Sequence, residues 1–100
     1  MFIANGRLVA IGPADRFDAR DTIDARGLIV APGFIDPHTH TLADLNGTRR
    51  ANVAYLMQGV TTVVTGNDGG GPLRVGEVLA RWSRSGIGTN AALYVGHGTV

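Results

Sequence analysis

Residues 61–65, Thr61-Thr62-Val63-Val64-Thr65, are β-branched without interruption. Two heavy atoms on each Cβ restrict χ1, which weakens a helix and suits the pleated surface of a strand. A run of this kind reads as a strand buried on both faces of a parallel sheet. Parallel neighbours need crossover connections, and these are usually helices. Helical spacing is present on both flanks. Upstream, Val53, Leu56, Met57 and Val60 stand at i, i+3, i+4 and i+7, which predicts a helix over residues 49–58. Thr48 would cap its start and Gly59 would end it in a left-handed turn. Downstream, Val75, Val78, Leu79 and Trp82 form the apolar stripe of a second helix closed by Gly86. Glu77 and Arg81 make an i, i+4 pair on it, and Trp82 belongs to the core.

Two further strands complete the pattern, at residues 34–36 and 91–95. The order is then β-α-β-α-β with connections of ordinary length, implying parallel strands and right-handed crossovers. The first thirty residues have a different texture. Asn5-Gly6 between two apolar runs is a strong hairpin signal, because both residues tolerate the positive φ of a type I′ turn. Residues 14–21 are polar and read as a loop. Residues 22–24 and 28–30 suggest two more short strands around the turn Ala25-Arg26-Gly27, giving a small all-β unit.

Composition narrows the function classes. Of 100 residues, 44% are hydrophobic and 17% charged, which is a folded composition. The net charge of +1 carries no signature of a nucleic-acid or acidic-membrane partner. There is no cysteine, so disulfide and thiolate chemistry are absent. No apolar run reaches the roughly 20 residues of a membrane span, and the N-terminus does not read as a signal peptide. A cytoplasmic location is expected.

The chemistry centres on His38-Thr39-His40, directly after the strand at residues 34–36. Side chains two apart in an extended segment point the same way, so two imidazoles can share one metal ion. Barrel enzymes assemble their sites at the C-terminal ends of such strands. His-x-His by itself is a weak motif, and a chance surface pair has the same spacing. Asp68 lies just past the next strand and could reach the same space, although Asn67-Asp68-Gly69 also has ordinary turn chemistry. The glycines from Gly66 to Gly71 lack the ending of a P-loop and the spacing of a dinucleotide fold, and instead suggest a close-approach loop. His97, between two glycines past the third strand, is a candidate substrate-binding residue or a turn cap. Asp36 is expected to hydrogen-bond beneath the histidines, and Asp44 to be a solvated loop residue.

The segment from Gly27 to His40 (GLIVAPGFIDPHTH) resembles the opening strand of the amidohydrolase superfamily. Within that superfamily, Ala31 to His40, Gln58 to Asn67 (QGVTTVVTGN) and Asn90 to Val100 (NAALYVGHGTV) are similar to the N-acyl-D-amino-acid deacylase, or D-aminoacylase, family. With the N-terminal hairpin, the similarity covers essentially the whole chain. It implies an α/β fold, the start of a (β/α)8 TIM barrel preceded by strands of a small β-sandwich domain. Residues 1–31 would belong to the sandwich and residues 32–100 to the first three βα units.

The resemblance also implies Zn2+, one or two ions, with His38 and His40 as ligands. Where the family has a metal-ligating cysteine after Gly-Asn, this chain has Asp68, and a carboxylate also ligates zinc. The implied reaction is hydrolysis of the amide of an N-acyl amino acid, a small-molecule substrate, through a metal-activated water. A full barrel takes roughly 200 residues or more. The chain is therefore expected to be an N-terminal fragment, with the acid/base Asp downstream and no activity or robust stability by itself. The alternatives are a cyclic-amide hydrolase of dihydroorotase or hydantoinase type, and a non-catalytic truncated chain.

Overall fold

The structure is a computed structural model that describes residues 1–100. The chain divides into two compact units, Met1–Val30 and Ala31–Val100.

In the first unit, β1 (Phe2–Ala4) and β2 (Arg7–Ala10) pair antiparallel with Ala4 opposite Arg7. Asn5 and Gly6 take φ of 51° and 70°, the two positive values a type I′ turn requires. Phe17 brings its ring to 4.0 Å from that of Phe2, centroid to centroid, and a single 3-10 turn covers Ala14–Arg16.

The strands expected at residues 22–24 and 28–30 do not form. The turn between them does: Leu28 N–H donates to the Ala25 carbonyl at 3.0 Å, and Gly27 has φ 78°. The Arg26 guanidinium clasps the Asp24 carboxylate, with Nη2 at 2.6 Å. Ile23 and Ile29 are 90% and 97% exposed. Apolar, β-branched residues make a strand only when a neighbour takes their backbone hydrogen bonds and covers a face, and no strand lies alongside them.

In the second unit, β3 (Phe34–Asp36), β4 (Val60–Thr65) and β5 (Asn90–Leu93) form a parallel sheet in that order. The register sets Asp36 beside Val63, Val63 beside Ala91, and Thr65 beside Leu93. Helices α1 (Leu42–Asn46) and α3 (Val75–Ser85) cover one face. Leu45, Val63, Val78 and Trp82 are the buried core, with Val60, Ala91 and Leu93 packed against it. The other face runs through Ile35, Thr62, Val64 and Ala92, and Ile35 on it is 67% exposed. β4 is thus buried on one face here and not on both, because helices lie on only one side of the sheet.

The helices depart from expectation in three places. A short helix, α1, forms around Asp44, which was expected to lie in a loop. The helix expected over residues 49–58 reduces to one turn, α2 (Val53–Leu56). Asn52, just before α2, takes a left-handed conformation with φ 52° and keeps the helix from starting earlier, while its Nδ2 donates to buried Thr89 Oγ1 at 3.1 Å. On α3, Glu77 pairs with Arg74 at 2.9 Å and not with Arg81. Arg81 Nη2 and Trp82 Nε1 both donate to Asn46 Oδ1, at 2.6 and 2.9 Å. Gly86 ends α3 with φ 73°, its N–H bonding the Trp82 carbonyl. No helix is long and apolar enough to cross a membrane.

Candidate metal centre

β3 ends at Asp36, and the chain bends at Pro37 and His38 before continuing without regular structure to His40. Thr39 is buried, 3% exposed, and faces β4. His38 and His40, on either side of it, lie together at the surface with ring centroids 5.5 Å apart and planes 23° from parallel. Asp36 Oδ1 accepts a hydrogen bond from His38 N–H at 3.1 Å, which closes the turn beneath the first imidazole.

The second half of the site leaves the end of β4. Thr65 is fully buried and Gly66 turns the chain with φ 83°. A Cβ at Gly66 would stand 2.7 Å from the Tyr94 carbonyl oxygen, so the loop requires glycine for close approach to the chain after β5. Asp68 then adopts φ 59° and Gly69 φ 77°. Left-handed backbone is uncommon for a residue with a side chain, and Asp and Asn are among the few that tolerate it. The far side of the loop is tied down by Gly98 N–H to the Gly69 carbonyl at 3.1 Å and by Thr99 Oγ1 to the Gly71 carbonyl at 2.7 Å.

These two segments bring three donors together. Asp68 Oδ2 lies 3.1 Å from His40 Nε2 and 3.5 Å from His38 Nε2. One ligand atom from each residue falls within 4.8 Å of each of the others. Zinc bonds of about 2.0–2.1 Å in a tetrahedron separate neighbouring donors by about 3.3–3.4 Å. The two histidine–aspartate spacings therefore match edges of a metal coordination shell. Two neutral imidazoles and one carboxylate give a donor set of charge −1, suited to a divalent cation and leaving further coordination positions for water or substrate. All three side chains are more than half exposed, at 57%, 74% and 59%. An open groove of about 470 Å³ adjoins His40, lined by Leu42, Ala43, Gly66, Asn67 and Gly70.

His97 falls outside this group, exposed at the start of a 3-10 turn over His97–Thr99. Asp44 is not a solvated loop residue: it sits on α1 and pairs with Arg49 at 2.6 Å. Sequence reasoning missed the polar residues behind the site. Thr39, Thr41 and Thr65 are buried and Asn67 is half-buried, all joined by hydrogen bonds. The signal for Thr39 was available, since the residue between two same-facing ligands must point the other way.

The sequence is similar to known proteins over most of its length. The model of the amidohydrolase family matches residues 21–93. A D-aminoacylase of Alcaligenes xylosoxydans xylosoxydans is 48% identical over 67 residues, covering 67% of this chain and 14% of that protein. An N-acyl-D-aspartate deacylase from the same organism is 47% identical over 70 residues, covering 67% and 13%. An imidazolonepropionase of Geobacillus thermodenitrificans is 39% identical over 79 residues, covering 71% and 18%. The chain thus spans less than a fifth of the length of these relatives. No solved structure matches it.

Proposed function

The chain belongs to the amidohydrolase family and is related to its D-aminoacylases, and from that premise we propose that it carries the first metal ligands of a metal-dependent hydrolase acting on a C–N bond. The single observation that carries this reading is the convergence of His38, His40 and Asp68 at metal-ligand spacing, at the C-terminal ends of two adjacent parallel strands. That is where a (β/α)8 barrel builds its active site. Residues 32–100 are read as its first three βα units, and residues 1–31 as part of a small β-sandwich domain.

A divalent metal at these ligands, read as zinc, supplies Lewis acidity: it acidifies water and polarises a carbonyl oxygen. The chain's own residues do the rest of the work assigned to this segment. His38 and His40 present Nε2 atoms, Asp68 adds a carboxylate oxygen and the compensating charge, and Asp36 fixes the turn that carries His38. The groove beside His40 gives a small substrate a place to lie against the donors. Proton transfer to the leaving amine needs an acid/base group from another part of the protein, and the family resemblance assigns it to a later Asp.

The proposed substrates are N-acyl amino acids, with the D configuration favoured by the two deacylase relatives. His97 is proposed as a substrate-binding residue from its place after β5. The imidazolonepropionase similarity favours a second reading, in which the bond cleaved lies in a cyclic amide or heterocycle. The experiment is amine release from N-acetyl-D- and N-acetyl-L-amino acids by the full-length protein, with and without added zinc, beside ring opening of hydantoin and dihydroorotate to their carbamoyl amino acids. Metal-dependent release from the acyl amino acids, lost in His38→Ala and His40→Ala, supports the first reading. Turnover of cyclic amides alone would favour the second, and turnover indifferent to metal and to both histidines would overturn either.

A further inference from the structure

The two imidazoles stand on backbone that belongs to no strand or helix. β3 ends at Asp36, and α1 begins only at Leu42. Donors that serve one metal ion must be held to within roughly 0.5 Å, and the sheet's own ladder does not extend to them. The connections that do hold this segment converge on Thr39. Its N–H donates to the Val64 carbonyl at 2.9 Å, and its Oγ1 donates to the same oxygen at 2.9 Å. The hydroxyl also meets Thr41 Oγ1 at 3.1 Å. Its carbonyl accepts from Thr65 Oγ1 at 3.0 Å and from Asn67 Nδ2 at 3.1 Å. Every polar group of Thr39 is engaged, in a place where water does not reach.

The partners matter as much as their number. Val64 and Thr65 end β4, and Asn67 is the residue before Asp68. The segment carrying both imidazoles and the loop carrying the carboxylate are therefore fastened to each other through one threonine. Its side chain is buried on one side of the backbone while both ligands leave on the other. We propose that Thr39 is the positioning residue of the metal centre, setting the separation between the histidine pair and Asp68 through its hydroxyl and carbonyl. This rests on the reading of the three residues as metal ligands. Thr39 itself touches neither metal nor substrate.

The test uses the full-length protein, freed of metal and titrated with Co2+ against a chromophoric chelator. Visible absorption of the bound Co2+ reports coordination geometry without any activity assay. Thr39→Val is isosteric and removes only the hydroxyl's bonds, whereas Thr39→Ser keeps them. Loss of a group that orients a metal ligand costs about 10–100-fold in affinity. Thr39→Val is expected to bind Co2+ at least about tenfold more weakly, with an altered spectrum, and Thr39→Ser to recover both. Asn67→Ala reaches the same carbonyl from outside the core and is expected to weaken binding in the same direction if Thr39→Val does not fold. Urea unfolding of the metal-free forms separates positioning from general stability. Unchanged affinity and spectrum in Thr39→Val, or a Thr39→Ser variant as weak as Thr39→Val, would overturn the proposal. So would an affinity loss matched by an equal loss of metal-free stability. Wild-type protein that takes up no Co2+ would instead overturn the metal reading beneath it.

Discussion

Asn46 is the last residue of α1, the helix that starts two residues after His40, and its side-chain oxygen holds that helix to α3. Replacing it with alanine tests whether that one oxygen anchors the layer behind the metal ligands. Trp82 is 2% exposed, and its indole N–H loses its acceptor once Asn46 Oδ1 is gone. Leaving a buried donor unsatisfied costs about 1–3 kcal/mol. The second bond, from Arg81, is exposed and adds little, because water replaces it. Alanine is the better helix former by up to about 0.7 kcal/mol, which offsets part of the loss. The expected net destabilisation is about 1–2 kcal/mol.

The assay is urea unfolding of the full-length protein followed by far-UV circular dichroism, for Asn46→Ala, Trp82→Phe and the double variant. Fluorescence is a poor common probe, since Trp82→Phe removes a tryptophan from two of the three variants. With donor and acceptor both removed, nothing is left unsatisfied, so the double variant should cost less than the sum of the singles by about 1–2 kcal/mol. A loss below about 0.5 kcal/mol in Asn46→Ala, or strict additivity in the cycle, would refute the reasoning.

Asp68→Asn and Asp68→Ala separate ligand chemistry from backbone conformation. Both should lose bound metal by elemental analysis, but only the alanine should also lower stability, by about 1 kcal/mol, because asparagine still accommodates φ 59°. Gly66→Ala combines a positive φ with a Cβ 2.7 Å from the Tyr94 carbonyl oxygen, and a urea-unfolding loss of about 2 kcal/mol or more is expected. Arg26 holds the Asp24 carboxyl below the usual carboxylate range. Any stability from this exposed pair is therefore present above the unfolded-state pKa and lost as pH falls through the lowered folded-state value. An NMR titration of the Asp24 side chain should find that downward displacement shrinking with added salt.

The parts legible in the sequence are those where local pattern and tertiary demand agree. β3 has the bounds expected for it, β4 starts one residue earlier, and α3 buries Val78 and Trp82 from its expected stripe. Asn5-Gly6 supplies its turn unaided, since the required positive φ values are intrinsic to those residues. Alternation and strand adjacency made His38, His40 and Asp68 candidates, the family resemblance assigned them as ligands, and the structure brings the three together. What escaped depends on distant partners. α1 is too short for helical periodicity to register, and its last residue is fixed by Trp82, 36 positions away. The late start of α2 after Asn52 is tied to Thr89, 37 positions away. Residues 22–24 and 28–30 have strand-like side chains and no neighbour to pair with. Thr39, Thr65 and Asn67 looked like ordinary polar residues because their hydrogen bonds close only when β3 and β4 lie side by side.

The central claim is that His38, His40 and Asp68 hold one divalent ion between them. An anomalous-difference map at the zinc absorption edge, from crystals of the zinc-loaded full-length protein, tests this most directly. The account predicts a peak about 2.0–2.2 Å from Nε2 of His38, Nε2 of His40 and a carboxylate oxygen of Asp68. A fully occupied peak bound elsewhere in the protein, with these three side chains ligating nothing, would contradict it.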